Sequence, residues 1–374
     1  MPVEVRPVRG PIALHHFVDL PFRLFGEDPG WVPPLRLAVY DRLSRRHPAR
    51  AHEDVALWMA TRAGKPVARI GACVHRLFND YQGQSWAWVG FFESFDDQEA
   101  ADALFTTAWE WARRQGVKTC VGPASFTTND ECGLLVDGFE HPPTVLTPQN
   151  PPYYERLWLT GGWEPAMDLW GWRYDRASAA LSERHKRVLA RLRERSAVRI
   201  RGIRMDDFDA EVGRFFDVYN SAWAHNWGFV PMTEPEVRHL AKNLKQIVDP
   251  ELALIAEDDS AEPVAVALAL PDVNEAMLRV RSGRLLPIGW WRLLRGGRRA
   301  SQARILALGV RPEHERRALG PLLYEELLQR LSARPNIVAA EGGWVLATNR
   351  VMNEAAEALG GRRYKTWRLY RRDF

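Results

Sequence analysis

Val55-Ala56-Leu57-Trp58, followed by Pro66-Val67-Ala68, returns as Leu252-Ala253-Leu254-Ile255, followed by Pro263-Val264-Ala265. Both pairs of segments stand 197 residues apart. Near the start, Val3 to Val8 (VEVRPV) recurs as Val198 to Ile203 (VRIRGI), and Asn150 precedes Gly161 by the same eleven residues that separate Asn349 from Gly360. Four matches in one order and near-constant register mark a duplicated domain. The repeat decides the architecture before any single element is read.

The chain of 374 residues has room for two domains of ordinary size. A hydrophobic content of 46% beside 26% charged residues is that of a globular protein with a sizeable core. No apolar run approaches the ~20 residues of a membrane span, and no secretory leader is read ahead of the first strand. Cys73, Cys120 and Cys132 match no metal spacing, so the expectation is a reducing cytoplasm and no metal. The whole net charge of +4 is matched by one segment, Glu183 to Arg195, with six Lys/Arg against two Asp/Glu. The remainder is balanced, which argues against a nucleic-acid partner. Val188, Leu189 and Leu192 fall at helical spacing in that segment, with Ser182 as its N-cap. It reads either as a phosphate-binding helix or as a solvated helix joining two domains.

Each half reads as strand, helices, strand pair, strand, helix, strand, helix, strand. In the first, the helical region Leu14 to Arg46 is broken at DPGWVPP, where three prolines preclude a regular helix. Strands over 55–62 and 66–76 flank the turn Ala63-Gly64-Lys65, and Gln98 to Arg114 carries Ala101, Leu104, Ala108 and Trp111 on one helical face. In the second, strands are expected over 252–257, 264–270, 304–310, 337–340 and 366–371, with helices over 211–223, 236–248, 319–331 and 350–359. This mixture is an α/β (α+β) fold, with one mixed twisted sheet per half flanked by helices. The sixteen tryptophans read as core and interface anchors, or as aromatic walls for an apolar substrate.

Leu306 to Leu328 (LALGVRPEHERRALGPLLYEELL) carries the most chemistry: a strand ending at Val310, a turn with Arg316 and Arg317, and a helix starting near Leu319-Gly320. Free N–H groups at a helix start, the macrodipole and nearby arginines make an anion site suited to a pyrophosphate. This segment, followed by Asn349 eleven residues before a glycine, resembles the GCN5-related N-acetyltransferase (GNAT) superfamily. Both halves follow that layout, as a tandem pair. DPGWVPPL, GFFESFDD, NDECGLLVDGF, YNSAWAHNWGFVP, LPDVN and EALGGRRYKTWRLY resemble one bacterial branch of it, linked to lipid N-acylation including ceramide formation. The resemblance implies GNAT-like domains over 1–176 and 198–374, joined by a basic helix over 177–197. It also implies acyl-CoA as co-substrate, between the fourth and fifth strands of a splayed sheet. Leu308, Gly309 and Val310 would face the pantetheine, and Arg316, Arg317, Ala318, Leu319 and Gly320 would form the pyrophosphate turn. Asn349 would be a polar contact at the end of the fifth strand. Glu315 and Ala318 depart from the family turn, and Ala356 stands where the family often has a tyrosine general acid.

The equivalent turn of the first half, Glu93 to Glu99, is acidic and would repel a pyrophosphate, so that half is expected to be degenerate. Asn129, Asp130, Glu131 and Cys132 read as a turn or as part of an acceptor site. Candidates for the catalytic base are Glu341, taken to end a strand at the cleft, His225 within Trp223-Ala224-His225-Asn226-Trp227, and Tyr219. Gly283 to Arg299 (GRLLPIGWWRLLRGGRR) interleaves apolar residues with arginine. It reads as a peripheral contact with the inner membrane surface, or as an excursion packed on the domain. The leading expectation is an acyl-CoA-dependent N-acyltransferase for an amine, with a lipid amine such as a sphingoid base as the specific case. The alternative is a catalytically silent protein that binds CoA or a protein partner.

Overall fold

The two repeats fold into closely similar successions of elements, differing by an extra strand (Leu134–Asp137) in the first half and a second helix (Gly289–Gly297) in the second, and the computed structural model describes residues 1–176, 183–245, 248–297 and 299–374. The first half contains β1 (Val3–Pro7), α1 (Gly10–Phe25), α2 (Arg36–Leu43), β2 (Glu53–Arg62), β3 (Lys65–His75) and α3 (Arg76–Gln82). It continues with β4 (Trp86–Ser94), α4 (Gln98–Arg114), β5 (Thr119–Gly122), β6 (Leu134–Asp137), α5 (Tyr153–Thr160) and β7 (Glu164–Asp175). Helix α6 (Glu183–Ser196) leads to β8 (Arg199–Gly202), α7 (Phe208–Ala222), α8 (Glu234–Leu244), β9 (Ala253–Glu257) and β10 (Pro263–Pro271). The second half closes with α9 (Asn274–Met277), α10 (Gly289–Gly297), β11 (Gln302–Val310), α11 (Leu319–Ser332), β12 (Ala339–Leu346), α12 (Arg350–Ala358) and β13 (Arg362–Asp373). The expected N-cap Ser182 lies outside the described residues.

Local chemistry accounts for the boundaries. Ala63 and Gly64 both have positive φ, the pair that a two-residue turn needs to match strand twist, and they close β2 on β3 with Arg62 opposite Lys65. Asp97 caps α4 by accepting from Ala100 N, and the small and apolar residues at helical spacing bury Ala100, Ala101, Leu104, Phe105, Ala108 and Ala112. The Pro-rich break separates α1 from α2. Its carbonyls at Gly26 and Trp31 accept from the guanidinium of Arg281, a residue of the other half.

The sheets of the two halves are one. Strand order runs β1-β2-β3-β4-β5-β13-β7-β12-β11-β10-β9-β8, with β6 also on β13. The closing strand of each half therefore crosses over: β13 pairs with β5 of the first half, and β7 pairs with β12 of the second. At the centre β7 and β13 run antiparallel over most of their length, from Arg362–Arg173 to Arg371–Glu164. A buried cluster spans the seam, joining Phe17, Trp88, Val121 and Phe126 to Val230, Leu346 and Trp367. Helix α6 is docked: Leu189 is buried with the second-half core, and Arg193 pairs with Glu325 and Glu326 of α11 at 3.3 and 3.1 Å.

Cutting the chain between the halves leaves each sheet without its closing strand. Residues 1–176 and 198–374 expressed alone should be poorly soluble, and coexpression should recover a complex with a single melting transition. A stable monomeric half would contradict the exchange.

Candidate active site

Strands β11 and β12 are parallel and pair only from Gln302–Ala339 to Ile305–Gly342. Beyond that point β11 stays on β10 as far as Val310–Ala265, while β12 follows β7 to Leu346–Leu169. The backbone of residues 306–310 thus borders an open wedge on its β12 side. Two irregularities sit at its apex, at Leu268/Ala269 of the β10–β11 ladder and at Gly342/Val345 of the β12–β7 ladder.

Helix α11 starts at the wide end of the wedge. Its N-cap Ala318 adopts the left-handed conformation, supplies no side-chain cap, and no acidic residue lies in the first turn. Pro321 has no N–H and Ala318 N is bonded to Glu315 O, which leaves Leu319 and Gly320 as the free donors of the turn. Arg317 is exposed beside them; the side chain of Arg316 lies outside the described residues. Leu308 and Val310 point to the α11 face and Gly309 to the other, where Trp223 leaves no room for a Cβ. Asn349 acts locally, capping α12 by accepting from Met352 N at 3.1 Å. Ala356 is core. At the apex, on the α11 face, the hydroxyl of Tyr324 occupies the space where a side chain at Gly342 would sit, with the Tyr174 ring 5.5 Å away. Burial pushes the Tyr324 phenol up to about 12. No spacing rule points to this residue.

The corresponding wedge in the first half is filled. Strands β4 and β5 pair from Trp86–Thr119 to Trp88–Val121, after which Ala124 N donates to Val89 O at 2.8 Å. A Cβ on Gly90 would overlap Ala124 O, and the rings of Phe91 and Phe126 close the gap at 5.2 Å. The start of α4 is occupied by Asp97, itself paired with Arg62.

On the face of the second-half wedge opposite α11, Arg304 is 4% exposed. It donates through Nε and Nη2 to Gly343 O, at 3.1 and 3.0 Å, and through Nη1 to Val145 O of the first half at 2.5 Å. Glu341 lies beside it. Read from sequence, its strand ends at residue 340, but β12 runs on to Leu346 with Glu341 third in it. Glu341 is 3% exposed, and its Oε2 accepts from Thr144 Oγ1 at 2.7 Å and from Tyr364 OH. Among the described residues its Oε1 has no hydrogen-bond partner, and it stands 3.9 Å from Arg304 Nε. Glu341 is thus sealed under residues 142–147 rather than presented at the cleft. Lys365 and Asp272 complete the group: burial lowers the lysine to about 8 and raises the aspartate to about 6.

Of the other candidates, Tyr219 donates to Asn129 Oδ1 at 2.9 Å and stacks on Trp223 at 4.4 Å, which places it on the seam behind β11. His225 is exposed on the turn after α7. The segment Asn129–Cys132 is held across the seam, with Asn129 Nδ2 donating to Val230 O at 2.9 Å and Thr128 Oγ1 to Gly228 O at 2.8 Å. Asp130 accepts from Arg42, which also pairs with Glu53. Glu131 is open to solvent, yet burial raises its carboxyl while Arg304 opposes the shift.

No family model matches the chain. It is 36% identical over 364 residues to Protein YghO of Escherichia coli (strain K12), covering 96% of this chain and 92% of that protein. It is also 36% identical over 377 residues to the bacterial ceramide synthase of Caulobacter vibrioides, covering 98% and 97%. The chain belongs to the family of these two proteins. Among solved structures it is similar to a tandem GNAT protein from the clavulanic acid biosynthesis pathway, with a TM-score of 0.59 at 13% identity over 99% of this chain and 98% of that one. A GCN5-related N-acetyltransferase from Sphaerobacter thermophilus gives 0.53 at 14% identity, covering 99% and 95%. The fold of this member of the YghO and ceramide synthase family is therefore that of a tandem GNAT protein, with a wedge open between two strands of its second half.

Glu341→Gln would leave the buried Arg304 without its counter-charge. Breaking a buried pair from one side costs about 3–5 kcal/mol, so the variant should unfold at clearly lower denaturant concentration. An unchanged midpoint would show that Glu341 does not hold Arg304.

Proposed function

We propose that the protein is an acyl-CoA-dependent N-acyltransferase acting on a lipid amine of the sphingoid-base type. The asymmetry of the two wedges carries the reading, since only the second leaves a strand edge and a helix start free together. Kinship with a ceramide synthase supports the lipid amine. Acyl-CoA lies with its pantetheine along Leu308, Gly309 and Val310 and its pyrophosphate at Leu319 and Gly320, with Arg316 and Arg317 at the same turn. The acceptor approaches from the opposite face, between Tyr219 and the Asn129–Cys132 segment. Its nitrogen loses a proton to Glu131, whose raised carboxyl suits a general base, and attacks the thioester carbonyl carbon. A β11 N–H near Val310 polarises the carbonyl oxygen, the C–S bond breaks, and the Tyr324 phenol protonates the departing thiolate. Glu341 acts through Arg304, which holds the bend at Gly343.

The lipid side of the reading rests on α10. Leu286, Ile288, Trp290, Trp291 and Leu294 are each about half exposed or more, while Gly289 and Gly296 press the other side against the fold. Residues 283–299 hold five arginines and no acidic residue, a composition suited to an anionic lipid surface. Among the described residues no helix is long and apolar enough to cross a membrane. Helix α9, on which α10 packs, binds Pro143 O through Asn274 Nδ2 at 3.0 Å, so the apolar patch adjoins the segment covering Arg304.

Long-chain acyl-CoA and a sphingoid amine should yield free thiol and N-acyl product on anionic vesicles. Glu131→Gln should lower kcat by roughly 10²–10³ without weakening acyl-CoA binding. Trp290→Ala/Trp291→Ala should reduce vesicle binding at least about tenfold and spare the rate with a short-chain soluble amine. Acyl-CoA binding without thiol release across an amine panel would replace the enzyme by a silent CoA-binding protein.

A further inference from the structure

We infer that Asp41, His47 and His239 form a site for a divalent transition-metal ion of the zinc class, pinning α8 of the second half to the first. The three side chains are half-buried, and one ligand atom from each lies within 4.8 Å of the others. They come from α2, from the residue ahead of the short 3₁₀ turn Pro48–Ala51, and from α8, nearly two hundred residues away. His239 Nε2 and Asp41 Oδ2 are 2.6 Å apart, and the rings of His47 and His239 meet edge to face at 4.9 Å.

Two imidazoles and one carboxylate with water in the fourth position are a familiar zinc set, with bonds of about 2.0–2.2 Å. Drawing the three atoms in to tetrahedral spacing takes side-chain rotations of about an ångström. Partial exposure leaves room for the water. The ion would take the place of the hydrogen between His239 Nε2 and Asp41 Oδ2, with the neutral imidazole carrying its proton on Nδ1. The contact that His47 Nδ1 makes with Ala49 N, at 3.4 Å, is long enough to give way. Arg42 does not oppose the ion with a free charge, because it is paired with Glu53 and Asp130. Alongside, His52 stands 3.4 Å from Glu236 of α8, so the same contact already carries a second cross-half pair.

The test uses the full chain, stripped with chelator and titrated with zinc ion by calorimetry and thermal melting. The expected result is one ion per chain with Kd of about 10 μM or tighter, and a melting temperature that rises with zinc concentration. His47→Ala/His239→Ala should weaken binding at least about tenfold, and Asp41→Asn should do so with less disturbance of the fold. Melting of each variant in chelator confirms that it is folded. The exposed pair His15 and His16 serves as the control, and its replacement by Ala should change nothing. No binding below about 100 μM, or binding that persists in the double variant, would overturn the site.

Discussion

The antiparallel pairing of β7 with β13 is the constraint on which the rest of the molecule depends. Each half surrenders its closing strand to the other, so neither sheet can satisfy its backbone hydrogen bonds alone. The exchange turns a tandem repeat into one continuous sheet with a single seam. It also explains why the seam is apolar at Trp367 and Leu346 and still admits a buried charge. Arg304 reaches across it to Val145 O of the first half, and Glu341 neutralises it. The bend of β12 at Gly343, which opens the wedge, is thus held by residues of both halves.

The same repeat has been put to two uses. In the first half, residues after Gly122 turn back into the wedge, and Phe91 and Phe126 fill it with aromatic surface. In the second, Trp223 and Tyr219 back the equivalent strand from one face, and the wedge stays open. Helix starts differ in parallel: Asp97 satisfies the first turn of α4 internally, whereas α11 has no internal acceptor for Leu319 and Gly320. A filled wedge gives stability, and an open one gives a place for a thioester.

Much of this is legible in the chain. The duplicated Val55 and Leu252 segments fall on β2 and β9 or the turn just before it, and α4, α11 and α12 occupy the spans read for them to within a residue. Local signals carry these because caps and periodicity act within a few residues. The exchange of β7 and β13 is not legible, since a strand's alternation says nothing about which neighbour it joins. The sequence reading ends the strand at residue 340, but β12 runs on, and Gly342 is small because Tyr324 needs the space, a packing reason invisible in sequence. The same cause puts Glu341 at the cleft in a reading of the sequence, when it is buried in the folded chain. Likewise Asp41, His47 and His239 meet only in the folded chain, and Cys/His spacing rules do not reach across two hundred residues.

Hydrogen–deuterium exchange with and without a long-chain acyl-CoA tests the central claim most directly, because it reads both wedges in one experiment. Protection should appear in residues 306–310 and in the first turn of α11, with residues 89–100 of the first half unchanged. Protection confined to the first half, or equal in both, would contradict the assignment of one acyl-CoA site to the open wedge.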